Sequence, residues 1–301
     1  MERLKTKVCG ITFNNPVITA SGPSGNGEEL NKLIDISKLG GFTSKTITLN
    51  SKIGNPPPRI INVDGGMLNS IGLQNDGYIE FKKNTVPFLE SLNTNIIASL
   101  GGYDSQEFEI MIKELNSTKI KAFELNLSCP NVSKGGAVIS QNPNLVYEVV
   151  KNAKKISKKP IFVKFGIENV DELVENTVAA GADGVTLINC IKGMKIDINT
   201  GKTILKRKIG GLSGPAIKPI ALATVYKIKN KYPDLSIIGM GGIMNFEDAL
   251  EFMMAGASLV GIGTGVMIDH EIPVNIIKNL NNFLLKKNKK LDEIFSSAQE
   301  V

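Results

Sequence analysis

The sequence is short of the side chains on which many acid–base, metal and redox sites depend. Its 301 residues include one histidine, three cysteines and no tryptophan. Because Cys9, Cys129 and Cys190 form no CxxC pair, we expect this chain alone to hold neither a four-cysteine iron–sulfur cluster nor a structural zinc, and we predict no metal site. His270 alone cannot form an HExxH motif, and it is the only imidazole that could assist a serine nucleophile. Other acid–base chemistry at neutral pH must use cysteine, lysine, tyrosine or a carboxylate.

Long apolar runs are absent as well. No segment approaches the roughly 20 consecutive apolar residues that span a bilayer, and the chain becomes polar directly after Met1. We therefore expect no signal peptide, no membrane contact and a cytoplasmic location. Hydrophobic residues make up 42% of the chain, which excludes intrinsic disorder for most of it.

The formal net charge is +6, and much of the excess lies in two lysine-rich stretches at residues 151–159 and 286–290. A nucleic-acid surface and a solvated helix face would both produce such stretches. Aromatic residues make up only 6% of the sequence, so platforms for base stacking are scarce. We interpret both stretches as solvated helix faces and predict no nucleic-acid partner.

Short apolar runs alternate with amphipathic stretches along the whole sequence. Each connection between apolar runs is long enough to be a helix, so the strands are expected to pair in parallel. This pattern predicts an α/β fold, a (β/α)8 TIM barrel formed as a single domain over residues 1–301, with a doubly wound open sheet as the alternative. The predicted strands are residues 17–20, 41–46, 96–100, 122–127, 161–164, 184–188, 236–239 and 259–262.

Two connections, near residues 49–77 and 191–213, are longer than ordinary strand-to-helix loops. Both follow predicted strands, so in a barrel they would be insertions on the carboxyl-terminal face, where the active sites of such barrels form. Within the second insertion, Asn199, Thr200 and Gly201 separate two short β-like stretches and predict a hairpin.

Two glycine clusters follow the seventh and eighth predicted strands, at residues 239–242 and 261–265. Glycine lets backbone N–H groups approach a phosphate closely, and barrel enzymes often bind phosphate after these two strands. The alternative interpretation is a pair of structural turns. We predict a phosphate site, and the sequence leaves open whether the phosphate belongs to a substrate or a cofactor.

Cys129 lies in the segment Asn-Leu-Ser-Cys-Pro-Asn at the end of the fourth predicted strand. Pro130 favours an extended conformation for Cys129, and Asn126 and Asn131 place amide groups on either side. A lone cysteine is more often a buried structural residue. The polar neighbours and the position at a strand end favour a functional thiol, which must be activated to act as a nucleophile or base. Cys9, in the N-terminal segment, is interpreted as structural.

Lysines end two predicted strands, at Lys45 and Lys164. A cation at the barrel mouth can stabilise charge that develops on a bound ring. Amide side chains are expected in the same region, including Asn69 and Asn75 in the first insertion and Asn189 after the sixth strand. Several convergent amides suit a small heterocycle with alternating N–H and C=O groups.

Together these residues resemble the class 1 dihydroorotate dehydrogenases, and the similarity runs along nearly the whole chain. The most specific motif is Asn-Leu-Ser-Cys-Pro-Asn around Cys129. The other matching segments are residues 20–22, 44–46, 54–56, 69–73, 163–164, 211–214, 241–242 and 263–264.

The resemblance implies a barrel that binds FMN and oxidises dihydroorotate to orotate in pyrimidine biosynthesis. It implies that Cys129 is the catalytic base, which removes the C5 proton of the substrate while hydride leaves C6 for the flavin. The implied cofactor contacts are Ser21, Lys45, Thr46, Ser99, Asn126, Lys164, Ile188, Gly214, Gly241, Gly242, Gly263 and Thr264. The implied substrate contacts are Lys45, Asn69, Ser70, Ile71, Gly72, Leu73, Asn126, Asn131, Asn189 and Cys190.

Three positions depart from the family pattern. Ser99 stands where an asparagine near the flavin is expected, Cys190 stands in place of a threonine or serine, and Asp76 stands in place of a proline. Because S–H is a poor donor, the departure at Cys190 weakens one expected hydrogen bond to the substrate.

Within class 1, residues 66–69, 72–75 and 211–216 are closer to the NAD-linked subclass than to the fumarate-linked one. That subclass implies a homodimer that forms a heterotetramer with a second subunit, which carries FAD and a [2Fe-2S] cluster and passes electrons to NAD+. A fumarate-linked enzyme and a dihydropyrimidine dehydrogenase-like reductase of uracil or thymine are the alternatives. A non-redox barrel that binds a sugar phosphate is the hypothesis from another class.

Overall fold

The computed structural model describes residues 2–128 and 139–299. Among these residues, eight parallel strands close into a barrel, in which each strand pairs with the next one in sequence and the last pairs with the first. The predicted (β/α)8 TIM barrel is therefore confirmed. The strands are β1 (Val17–Thr19), β2 (Gly41–Thr43), β3 (Asn95–Leu100), β4 (Ala122–Asn126), β5 (Ile161–Phe165), β6 (Gly184–Leu187), β7 (Ser236–Met240) and β8 (Leu259–Ile262).

Helices follow the strands and cover the outside of the barrel. Their ends carry the expected capping residues, as the helix Phe246–Met254 shows. At its start, Asn245 Oδ1 accepts a hydrogen bond of 2.8 Å from the backbone N–H of Asp248, and after its end Gly256 adopts a φ angle of +109°. None of the helices in the described ranges is both long enough and apolar enough to cross a bilayer. The α-helices are Glu28–Leu33 after β1, Tyr78–Glu80 and Val86–Ser91 after β2, Ser105–Leu115 after β3, Pro143–Ile156 after β4, Val170–Ala179 after β5, Lys218–Lys231 after β6, Phe246–Met254 after β7, and Thr264–Ile268 and Ile272–Lys287 after β8; a π-helical turn, Phe81–Thr85, joins the two segments after β2.

The amino-terminal end of the barrel is closed by a hairpin of the strands Thr6–Val8 and Ile11–Phe13. Phe13 is fully buried and packs with residues of the barrel interior, among them Ile18 and Phe162. Within the described part of the chain, apolar side chains fill this end of the barrel, and the cavity lies at the opposite end, where the strands finish.

The two insertions form one structure over that open end. Their strands pair as a four-stranded antiparallel sheet in the order Ile191–Met194, Ile209–Ser213, Gly66–Asn69 and Ile60–Val63. The predicted hairpin is also present, as the paired strands Ile196–Asp197 and Lys202–Thr203. The insertions therefore build a common wall above the barrel.

The second barrel strand ends earlier than its sequence predicts. After Thr43, the backbone N–H of Ser44 still donates to the carbonyl of Ile97 on β3, but the N–H of Lys45 donates to the carbonyl of Gly25, outside the barrel strands, each over 3.0 Å. Pairing resumes at Ile47, whose N–H donates to the carbonyl of Ser99. Such an interruption redirects side chains next to a site, and here it turns Lys45 toward the open end.

Candidate active site

A cavity of about 980 Å³ lies at the carboxyl ends of the barrel strands, beneath the four-stranded sheet. This volume is at the upper end of the usual range for small-molecule sites, about 300–1,000 Å³. It offers room for a cofactor together with a small substrate.

The cavity brings together nearly all of the site residues predicted from the sequence. Ser99 and Asn75 are the exceptions among the described ones. Ser99 lies behind the wall, fully buried, and the Asn75 amide donates to Thr48 Oγ1 and to the carbonyl of Leu73 instead. Cys129 and Asn131 lie outside the described residues, and Ser128, which precedes Cys129, lines the cavity. The predicted residues on the wall are Ser21, Lys45, Thr46, Asn69, Ser70, Ile71, Gly72, Leu73, Asn126, Lys164, Ile188, Asn189, Cys190, Gly214, Gly241, Gly242, Gly263 and Thr264.

Bare backbone forms the wall where the sequence predicts a phosphate. Gly214, Gly241 and Gly242 have φ angles of +101°, +125° and +82°, which residues with a side chain rarely adopt. A Cβ on Gly242 would lie 2.8 Å from the carbonyl oxygen of Gly214 and 3.0 Å from the backbone nitrogen of Lys218. These glycines keep side-chain atoms out of the turn, so the wall fits a group that binds backbone N–H donors, as a phosphate does.

Two lysines face the cavity from the strand ends. Lys164 is 3% exposed, and its Nζ donates to Ser21 Oγ over 3.1 Å. Burial lowers the pKa of Lys45, and the positive charge of Arg59 lowers this pKa further. The negative charge of an anionic ligand beside Lys45 would oppose both effects by favouring the charged ammonium, so this part of the site favours a negative group.

Asn69 joins the two insertions at the cavity wall. Its Nδ2 donates to the carbonyl oxygen of Gly211 over 3.1 Å and to Cys190 Sγ over 3.4 Å. Both amide hydrogens are therefore engaged, and Asn69 can offer a ligand only its carbonyl oxygen. The sulfur of Cys190, which departs from the family pattern, acts here as an acceptor that orients this amide.

Several cations on the wall were not predicted from the sequence. Arg59 and Lys192 lie on the first and second insertions, and residues 206–208, Lys-Arg-Lys, precede the strand Ile209–Ser213. The signal was present as basic residues within both insertions. It could not be interpreted without knowing that the insertions fold over the same cavity.

His270 and Cys9 lie away from the cavity. His270, the only histidine in the sequence, is not among the residues that line this cavity. Cys9 is at the closed end of the barrel, where its Sγ donates to the carbonyl of Asp183 over 3.1 Å and burial raises the pKa of its thiol. The structural interpretation of Cys9 is consistent with these contacts.

A closed parallel barrel with a cavity at its carboxyl face, glycine turns after β7 and β8 and lysines at the strand ends defines a TIM-barrel enzyme. Its sequence gives a more specific assignment. The family model of dihydroorotate dehydrogenase matches residues 3–284, and the chain belongs to this oxidoreductase family.

Individual relatives agree with that assignment. The chain is 45% identical over 298 residues to the dihydroorotate dehydrogenase B (NAD(+)), catalytic subunit, of Caldicellulosiruptor bescii, with 98% of each chain covered. It is 42% identical to the protein of the same name from Alkaliphilus metalliredigens, again with 98% of each covered. The crystal structure of DHODH from Eimeria tenella in complex with ferulenol matches with a TM-score of 0.81 at 19% identity, covering 100% of this chain and 90% of that one. This last likeness concerns the fold.

Proposed function

We propose that this chain oxidises dihydroorotate to orotate in pyrimidine biosynthesis, with FMN as its cofactor and NAD+ as the final electron acceptor through a partner subunit. The observation that carries the proposal is the end-to-end similarity to catalytic subunits of dihydroorotate dehydrogenase B, combined with a cavity that collects the corresponding side chains. The cationic wall supports a substrate that bears a carboxylate, which uracil and thymine lack.

The residues present suit FMN. The glycine turns at Gly214 and Gly242 would hold its phosphate, because side-chain atoms are excluded there and backbone donors can approach. Lys164 and Ser21 would hold the ring, with the Lys164 ammonium placed to balance negative charge. When bound, FMN supplies the two-electron acceptor for the hydride that leaves C6 of the substrate.

The protein's own groups bind and deprotonate the substrate in this proposal. Lys45 attracts the substrate carboxylate, and the Asn69 carbonyl oxygen accepts from a ring N–H. Cys129, assigned through the family motif, takes the proton from C5. No imidazole is available for this step, because His270 is not part of the cavity wall.

A partner subunit is supported by the names of the relatives, which are catalytic subunits of an NAD(+)-linked enzyme. We propose a homodimer that binds a subunit carrying FAD and a [2Fe-2S] cluster. Turnover with NAD+ only when that subunit is present supports this assembly, whereas direct reduction of fumarate by the chain alone contradicts it.

The test of the proposed base is the substitution Cys129→Ala. Removal of a general base costs about 10²- to 10⁴-fold in rate, so turnover of dihydroorotate should fall by this amount while FMN stays bound. Cys9→Ala is the matched control, because it removes a thiol at the opposite end of the barrel. Full activity of Cys129→Ala would contradict the assignment of the base.

A further inference from the structure

Glu124 is a buried acidic residue that none of the roles above uses. It lies on β4 with 1% of its surface exposed, two positions before Asn126, so the two side chains point to the same face of the strand. Glu124 Oε1 accepts a hydrogen bond of 2.9 Å from Ser99 Oγ. Burial of a carboxyl group is costly unless its oxygens have hydrogen-bond partners, and Ser99 supplies such a partner.

A chain of hydrogen bonds connects this carboxylate to the cavity wall. Ser99 Oγ lies 2.8 Å from Thr46 Oγ1, and Asn126 Nδ2 donates to the same Thr46 oxygen over 3.1 Å. The Oδ1 of Asn126 accepts from Ser128 Oγ over 2.8 Å, and Ser128 Oγ accepts from Asn189 Nδ2. All members of the chain other than Ser99 and the carboxylate itself line the cavity.

The direction of the hydrogen bonds is fixed from the Asn189 end. The backbone N–H of Cys190 donates to Asn189 Oδ1 over 2.8 Å, so the amide nitrogen of Asn189 faces Ser128. A hydroxyl has a single proton, and Ser128 therefore gives its proton to Asn126 Oδ1. This contact turns the amide nitrogen of Asn126 toward Thr46.

The Glu124 end fixes the same direction independently. Ser99 Oγ donates to Glu124 Oε1, so the one proton of this hydroxyl points to Glu124. In the bond between Ser99 and Thr46, Thr46 must then be the donor. Thr46 has no proton left for a ligand, and its oxygen can only accept.

We propose that Glu124 is a positioning residue, which acts through Ser99 to make the Thr46 hydroxyl a pure acceptor and to leave the second N–H of Asn126 as a donor toward the cavity. The ligand group that faces Thr46 is then an N–H and not a carbonyl. Without Glu124, the Ser99 hydroxyl donates to Thr46, and the Thr46 hydroxyl is then free to donate to a ligand. The cavity wall would offer the bound ring a donor at Thr46 in place of an acceptor.

The test measures FMN affinity, which rests on the proposed function but needs no turnover. Apoprotein is titrated with FMN, and quenching of flavin fluorescence gives Kd for wild type, Glu124→Leu, Glu124→Gln and Ser99→Ala. We expect Glu124→Leu and Ser99→Ala to weaken FMN binding about tenfold, the effect of one mismatched buried hydrogen bond. Glu124→Gln retains an acceptor oxygen and should stay within about twofold of wild type.

Thr186→Val is the matched control for Ser99→Ala. Thr186 is fully buried on β6, and its hydroxyl has no hydrogen-bond partner within the described part of the chain. Loss of this hydroxyl should leave FMN affinity unchanged. Wild-type affinity in Ser99→Ala overturns the proposal, as does an equal loss in Thr186→Val or a tenfold loss in Glu124→Gln. Ser99→Ala decides the question even if Glu124→Leu does not fold.

Failure of the proposed function is recognised separately. If wild-type chain binds no FMN, the cofactor assignment is wrong, and the hydrogen-bond chain is then tested by crystal structures of ligand-free wild type and Ser99→Ala. Rotation of Thr46 or Asn126 in the variant supports the positioning role. Unchanged positions of both side chains overturn it.

Discussion

Replacement of Gly242 by alanine would place a methyl group where the turn after β7 has no room for one. The residue has a φ angle of +82°, and an L-residue in this left-handed region costs roughly 1–2 kcal/mol. The new Cβ would also lie 2.8 Å from the carbonyl oxygen of Gly214, 2.8 Å from Lys218 Cβ and 3.0 Å from the backbone nitrogen of Lys218. Two of these three atoms belong to the backbone, so the turn itself must shift.

A shift of this turn separates the glycines that would hold the FMN phosphate. We expect Gly242→Ala to raise the Kd for FMN about 10- to 100-fold, which corresponds to about 1.4–2.8 kcal/mol. The free energy of unfolding should fall by at least the roughly 1–2 kcal/mol of backbone strain. Fluorescence titration of apoprotein with FMN and urea denaturation measure the two quantities.

Gly181→Ala is the matched control, because it introduces the same strain without the contacts. Gly181 has a φ angle of +85°, a Cβ at this position would meet no atom within 4 Å beyond its chain neighbours, and the residue does not line the cavity. The variant should lose stability by roughly 1–2 kcal/mol and bind FMN as wild type does. Wild-type FMN affinity in Gly242→Ala would refute the assignment of this turn to the phosphate.

Other parts of the structure give further expectations. Because burial lowers the pKa of Lys45, its positive charge is lost at a lower pH than for an ordinary lysine, and the KM for dihydroorotate should rise as pH increases from 7 to 10. Lys45→Met should raise KM at neutral pH and remove this pH dependence. A wild-type KM that does not vary with pH would contradict the expectation. Asp248 is 7% exposed and accepts a hydrogen bond from Lys218 Nζ over 2.6 Å. Asp248→Asn should therefore lower the free energy of unfolding, measured by urea denaturation, by about 1.5–3 kcal/mol. An unchanged urea midpoint would show that the ion pair does not stabilise the fold. Phe13→Ala should cost about 3–5 kcal/mol by the same assay, and a loss below about 1 kcal/mol would mean that the hairpin does not seal the barrel.

The barrel could be predicted from the sequence because its topology depends on segments that are close together along the chain. Each strand pairs with its neighbour in sequence, so the alternation of apolar runs and helices is sufficient to indicate the topology. The sheet formed by the insertions is different, since Asn69 pairs with Gly211, 142 residues further along the chain. Short strands with such distant partners carry no periodic pattern that identifies the pairing.

The residues of the candidate site also fall into those that could be predicted from the sequence and those that could not. The glycine clusters, Lys45 and Lys164 could be placed together from the sequence because parallel strands finish at one rim. The role of Ser99 behind the wall could not be predicted, because Ser99 donates to Glu124 on the neighbouring strand, and Glu124 lies within an apolar run. Side chains that act through other side chains become visible only in the folded structure.

The absorption spectrum of the purified chain, recorded without oxygen before and after addition of dihydroorotate, tests the central claim most directly. The account predicts a yellow protein whose flavin absorption decreases on addition of dihydroorotate while orotate forms. A colourless chain that takes up no FMN, or a flavin absorption that dihydroorotate leaves unchanged, would contradict it.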